Sequence, residues 1–273
     1  MAVNINGDTG IDKVQPGTID SADFGPGSVT APAIASGAVT SAKLDTNLSI
    51  PGTMTATSFS GDGSSLTGIA GGFSNMDVFT SPGTWTNPGN VQKVKVTVVG
   101  GGGAGGYSTD SNWGGKGGGG GGAAIEIVPF PTATNVPVTV GPGGTSGNTA
   151  PSVSNSGGTS SFGAYCSATG GGGGGAPNYN VATQALGGTG SGGQLNMGGG
   201  DGQTGAREGS GAGGTSIFGG AGRGTDTQLD SVASPAKSNT NGNSYGGGGG
   251  GALVYAADHT GGTGAAGVVV VEY

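Results

Sequence analysis

Residues 91–106 read Val-Gln-Lys-Val-Lys-Val-Thr-Val-Val-Gly-Gly-Gly-Gly-Ala-Gly-Gly. The first half alternates: Val91, Lys93, Lys95 and Thr97 interleave with Val94, Val96 and Val98. Period-2 alternation of β-branched residues predicts a strand. The second half is almost pure glycine, which forms poor helix and has no side chain to build a core. A strand that runs straight into a glycine tract sets the expectation for the rest of the chain. The fold class is all-β or irregular.

Composition extends this reading. Of 273 residues, 70 are Gly and 13 are Pro, while charged residues make up 8%. Ordinary globular domains carry roughly 25% charged residues and roughly 7% Gly. A helical or α/β enzyme is excluded. Richness in Gly, Ser, Thr and Asn often marks disorder, but further strand patterns interrupt the tracts. Ala123 to Val128 and Val136 to Val140 read as strands. So does Val268 to Val271, whose unbroken valine predicts burial on both faces. An ordered chain is expected.

The glycine tracts lie at 100–106, 114–122, 170–175, 187–193, 198–202, 209–214, 219–224, 246–251 and 261–267. Collagen needs Gly at every third residue over a long run with abundant Pro, and these tracts are too short and irregular. Polyproline II helices are open to glycine, and seven residues span about 22 Å at ~3.1 Å each. They make no internal hydrogen bonds, so close-packed copies must pair N–H with C=O laterally. The expected arrangement is a bundle of such polyglycine helices with loops gathered at its ends. A β-sandwich with glycine-rich loops is the alternative. Trp85, Phe79, Phe162 and Phe218 read as core. The segments 157–163 and 213–219, which are 56 residues apart, share the pattern Gly-Gly-Thr-Ser-x-Phe-Gly and predict comparable hairpins.

The first 50 residues carry a ten-residue repeat, GTIDSADFGP, GSVTAPAIAS and GAVTSAKLDT, starting at Gly17, Gly27 and Gly37. Ile19, Val29 and Val39 recur at one position, and Phe24, Ile34 and Leu44 at another. Two apolar anchors per unit cannot make a core within one chain; repeat units bury such faces by stacking on neighbours. Side-by-side identical chains forming a shaft fit best. Residues 51–72 read as a linker or buttress, with turn chemistry at Ser60 to Ser65 and a boundary at Gly71-Gly72.

Chemistry-bearing motifs are few. The net charge is −7, and no Lys/Arg cluster exists to neutralise phosphates. No nucleic acid is expected. Cys166 is the only cysteine, so no intrachain disulfide exists. No secretory signal is read at the N-terminus, and the longest apolar run falls far short of the ~20 residues of a membrane helix. No membrane insertion is expected. Gly100 to Gly105 matches a dinucleotide-binding pattern only because any glycine run does, and Lys116 is followed by Gly, which rules out a P-loop. His259 is the only histidine and sits beside Asp258; Glu126, Asp201 and Glu208 are scattered acids, with Arg207 next to Glu208. No metal site, cofactor or catalytic residue is expected. The aromatics between tracts (Tyr107, Trp113, Tyr179, Tyr245 and Tyr255) sit among small polar residues. Such loops suit sugar rings and hydroxyls, or each ring simply shields a glycine backbone.

The repeat GAVTSAKL, the segment ATSFSGDGSSLTGI, the run VFTSPGTWTNPGNVQKVKVTVVGGGGAGG, the stretch GGTSSFGAYCSATGGGGG and the terminal GGTGAAGVVVVEY together resemble bacteriophage tail-fibre proteins with a glycine-rich receptor-binding domain. The resemblance implies a homotrimeric virion protein, made in the bacterial host cytoplasm. Residues 1–50 would form the shaft and attach to tail or baseplate proteins. Residues 51–72 would link, and residues 73–273 would bind a bacterial surface glycan or protein. It also implies stacked polyglycine helices with recognition loops at one tip. Unlike the monomeric tip adhesins of that group, this chain carries its own repeats. A head or neck position stays open. A decoration or connector fibre that binds no receptor is the alternative reading, and a depolymerase tailspike the third.

Overall fold

The computed structural model describes residues 52–53, 55, 57–58, 73–89, 91, 93–108, 113–129, 135–146, 154–176, 184–207, 209–224, 240–253 and 260–273. The shaft anchors Ile19, Phe24, Val29, Ile34, Val39 and Leu44, and the Gly71-Gly72 boundary, lie outside them. The chain divides into two compact units, Met1–Leu66 and Thr67–Tyr273.

The second unit is built on ten strands: β1 (Met76–Phe79), β2 (Gly83–Thr86), β3 (Lys93–Val99), β4 (Ala123–Pro129), β5 (Asn135–Thr139), β6 (Ser160–Phe162), β7 (Cys166–Ala168), β8 (Gly190–Ser191), β9 (Leu195–Met197) and β10 (Val268–Glu272). They form two antiparallel five-stranded sheets, ordered β1-β10-β3-β4-β9 and β2-β5-β6-β7-β8. The all-β expectation holds, and the strands read around Val94, Ile125, Val138 and Val269 are present.

The two sheets share one core. Val94, Val96, Val98, Ala124, Val128, Val269 and Val271 from the first sheet meet Trp85, Val136, Val138, Phe162, Cys166 and Ala168 from the second. Alternation along each strand sends these residues inward, the usual economy of a sandwich. Trp85 packs against Phe162 and Tyr273, with both ring centroids 5.8 Å away. Continuous valine in β10 does bury Val268, Val269 and Val271, because β10 lies between β1 and β3; Val270 stays half-exposed. At the hairpin between β6 and β7, Gly163 takes φ of 50°, a left-handed conformation that favours glycine.

The two Thr-Ser-x-Phe-Gly segments differ. Ser160–Phe162 is β6, and Phe162 is fully buried. Ser216 to Gly219 is instead a tight turn closed by the Ser216 N–H on the Gly219 carbonyl, and Phe218 is 49% exposed. Phe218 is therefore not a core residue. Its segment lacks a partner strand like β5, so the same residues close a turn.

The glycine runs bond laterally with a three-residue period. Along 114–122, the N–H groups of residues 114, 117 and 120 donate to the carbonyls of 206, 203 and 200. Those of 115, 118 and 121 donate to 252, 249 and 246, and those of 116, 119 and 122 to 175, 172 and 169. In return, carbonyls of this run accept from Gly100, Gly103 and Gly106, from Gly188, and from Gly211 and Gly214. Six segments thus surround residues 114–122, three through donated bonds and three through accepted ones. Backbones this close leave no room for a side chain at most glycines of the run. A Cβ on Gly118 would lie closer than 3.0 Å to the Gly103 carbonyl oxygen, and one on Gly103 equally close to that of Gly172.

Candidate functional site

The bonding register gives the unit two distinct ends. Gly100 follows β3 directly, Gly122 precedes β4, and the Gly100 N–H donates to the Gly122 carbonyl. That level is the sheet end. Six residues on, the Gly106 N–H donates to the Lys116 carbonyl, the Lys116 N–H to Gly175, and the Ala252 N–H to Gly106. Gly114 donates to Ala206, and the Ser154 hydroxyl to Gly105. The connections beyond Gly106, Ser146, Gly175, Gly205 and Ala252 therefore all start at the end remote from the sheets. The strands and the turn at Ser216–Gly219 lie at one end, and the connections named above start at the other.

At this remote end Tyr107 and Trp113 are the two feet of one connection. Tyr107 turns inward and is 3% exposed; burial raises its phenol pKa. Ser108 is fully buried, and its hydroxyl donates to the Trp113 carbonyl at 2.7 Å. Trp113 is half-buried and bridges Arg207, which lies exposed on the tight turn closed by reciprocal Ala206 and Gly209 bonds. The backbones of Trp113 and Arg207 thus pair at this end.

Tyr179 and Tyr255 belong to connections that start at the same end, but they lie outside the described residues, as do Glu208, Asp258 and His259. Tyr245 is placed at the opposite end. It precedes Gly246, whose carbonyl accepts from Gly121, and its ring packs on Val99, Ala123 and Val268. Its neighbours in sequence are polar, but the adjoining tract begins at the sheets, so the ring covers valines there. Tyr107 is likewise turned away from solvent.

Lys116 interrupts the most enclosed run and is only 7% exposed, with its backbone bonded on both sides to Gly106 and Gly175. Arg207 was legible only as a neighbour of Glu208; no periodicity marks it as Trp113's partner. Two of the scattered acids, Glu126 and Asp201, have backbone duties. Glu126 accepts the Gln194 N–H at 2.6 Å, and Asp201 accepts that of Gly187 at 2.8 Å. Among the described residues no group of three His, Cys, Asp or Glu side chains is placed to hold a metal ion.

Among known families, the model of a glycine-rich domain matches residues 78–273. No curated protein matches the chain.

Proposed function

The chain belongs to the glycine-rich domain family, and we propose that it is a phage tail fibre whose glycine-rich domain binds a host cell-surface receptor at the end remote from the sheets. The start of several tract connections at one level, opposite the strands, carries this reading. A rigid lattice that presents several connections together is a platform on which loops can vary without disturbing the core. The glycine runs act as polyglycine helices of the polyproline II type. The three-residue bonding period supports this, since such a helix has three residues per turn. Residues 1–50 trimerise and join the tail or baseplate, so receptor contacts are multiplied. The work is binding of a surface glycan or protein, not catalysis. Trp113, Tyr179 and Tyr255 are the aromatic contacts, with Arg207 beside the first.

The test is competition for host adsorption by purified full-length protein. Wild type should block phage attachment. The triple variant Trp113→Ala, Tyr179→Ala, Tyr255→Ala should need at least tenfold more protein, while Thr84→Ala, on the outer face of the second sheet, should match wild type. Equal blocking by a folded triple variant would sink the loop reading. No blocking by wild type at any concentration would favour the connector alternative.

A further inference from the structure

The outer faces of the two sheets differ in kind. On the second sheet the outward residues are Thr84, Thr86, Asn135, Pro137, Thr139, Ser161, Ser167 and Ser191, mostly hydroxyl-bearing. On the first sheet the registered row Val78, Val270, Thr97, Ile125, Leu195 crosses all five strands. Met76 and Ile127 lie in the next row, on either side of the Lys95–Glu272 ion pair. Val78 and Leu195 are each 51% exposed, and Met76 and Ile127 are exposed too; between them Val270 and Ile125 are half-buried and Thr97 is buried. Single exposed apolar residues need no explanation, but a contiguous apolar face does.

The place where the chain enters points to the occupant. Residues 1–72 lead into the domain at Phe73, whose ring lies 6.0 Å from Lys93 Nζ, on this same outward side of β3. Phe73 leads at once into β1, the free edge of this sheet. Copies held together through the residues before Phe73 would each lead into their domains at this edge. The nearest apolar face to that junction is the outer face of the first sheet. The Lys95–Glu272 pair on it is satisfied within the chain, and Lys93, the other cation on this face, lies at the start of β3 beside the Phe73 ring.

We infer that the outer face of the β1-β10-β3-β4-β9 sheet packs against other copies of this chain. This inference rests on the trimeric reading above and adds the surface that reading leaves unnamed. Apolar burial there extends the contact from the N-terminal repeats into the glycine-rich domain.

Light scattering on full-length protein is paired with thiol labelling at introduced cysteines; native Cys166 is buried. Expected are a trimeric mass, maleimide labelling of Val78→Cys at least tenfold slower than of Thr84→Cys, and trimer dissociation of Val78→Lys, Leu195→Lys at a tenfold higher concentration than wild type. A trimer in which Val78→Cys labels as fast as Thr84→Cys overturns the face and leaves the trimer standing. So does slow labelling when the lysine variant dissociates like wild type, because the cover then comes from within the chain. A monomeric wild type overturns both readings. Val78→Cys changes one exposed side chain, so its labelling stays informative even where the double lysine variant fails to fold.

Discussion

The Gly103 N–H donates to the Gly119 carbonyl at 2.8 Å, and the Cα hydrogen positions beside that bond admit no methyl group. The adjacent Ala104 is fully buried yet carries one. A tract residue has three azimuthal directions, set by the three-residue bonding period, and only some of them face a neighbouring backbone. Glycine is therefore demanded position by position rather than by tract.

That difference is measurable. Gly103→Ala places a Cβ closer than 3.0 Å to backbone atoms of Gly171 and Gly172, where no flexible side chain can give way. The expected loss is about 3 kcal/mol or more, at the upper range of overpacking. A Cβ on Gly175 meets nothing within 4 Å. Gly175→Ala should be neutral or stabilising by up to ~1 kcal/mol, through the unfolded chain's lost freedom. Denaturant midpoints of the two variants give the comparison; equal destabilisation would refute the lattice geometry.

Cys166 provides a pH handle. Burial, and secondarily the charge of Glu126, push its thiol from 9.0 up to about 11. The folded state therefore holds the proton more tightly than the unfolded state. The resulting stability is fully present below pH 9 and is lost as pH rises towards 11, by an order of ~2–3 kcal/mol. The difference in unfolding free energy between wild type and Cys166→Ala should fall over that window, with the tyrosines common to both cancelling. Native protein at pH 8 should react with Ellman's reagent only on the timescale of unfolding.

Trp85 anchors the contact between the sheets. It is 1% exposed, held between Phe162 and Tyr273, and its indole N–H has no partner among the described residues. Trp85→Ala should cost about 3–5 kcal/mol. Trp85→Phe should cost distinctly less, because it removes an unsatisfied donor along with part of the ring. Thermal unfolding of both variants, followed by Trp113 fluorescence and circular dichroism, separates the two contributions. An equal loss in both would mean that the N–H is satisfied.

The strands were legible because valine marks strands, by alternation at 93–99 and by an unbroken run at 268–271. Lys93–Val99 and Val268–Glu272 stand where residues 91–99 and 268–271 predicted them. The short strands Gly190–Ser191 and Leu195–Met197 were not legible: one is glycine and serine, the other three residues long, and both exist because β7 and β4 offer edges. Phe162 and Phe218 make the same point in reverse. Identical flanking residues gave one buried and one exposed ring, since only the first finds a partner strand in β5. The remote end was legible as a class of loops but not residue by residue. Tyr245 and Trp113 have similar neighbours, and only the direction of the adjoining tract sends one to the sheets and the other to the rim.

Tyr107 and Trp113 should therefore separate stability from binding. Tyr107 is almost fully buried at the foot of its connection, and Tyr107→Ala should cost about 3 kcal/mol by leaving a cavity beside the tracts. Tyr107→Phe should keep adsorption intact, because the ring rather than the phenol oxygen fills the space. Trp113 is half-buried beside exposed Arg207, so Trp113→Ala should weaken adsorption several-fold with a smaller shift in melting temperature. Melting curves and adsorption titrations on the same preparations decide the matter. If Trp113→Ala lowers melting as much as Tyr107→Ala and leaves adsorption unchanged, Trp113 shields backbone and the receptor contact lies elsewhere on the remote end.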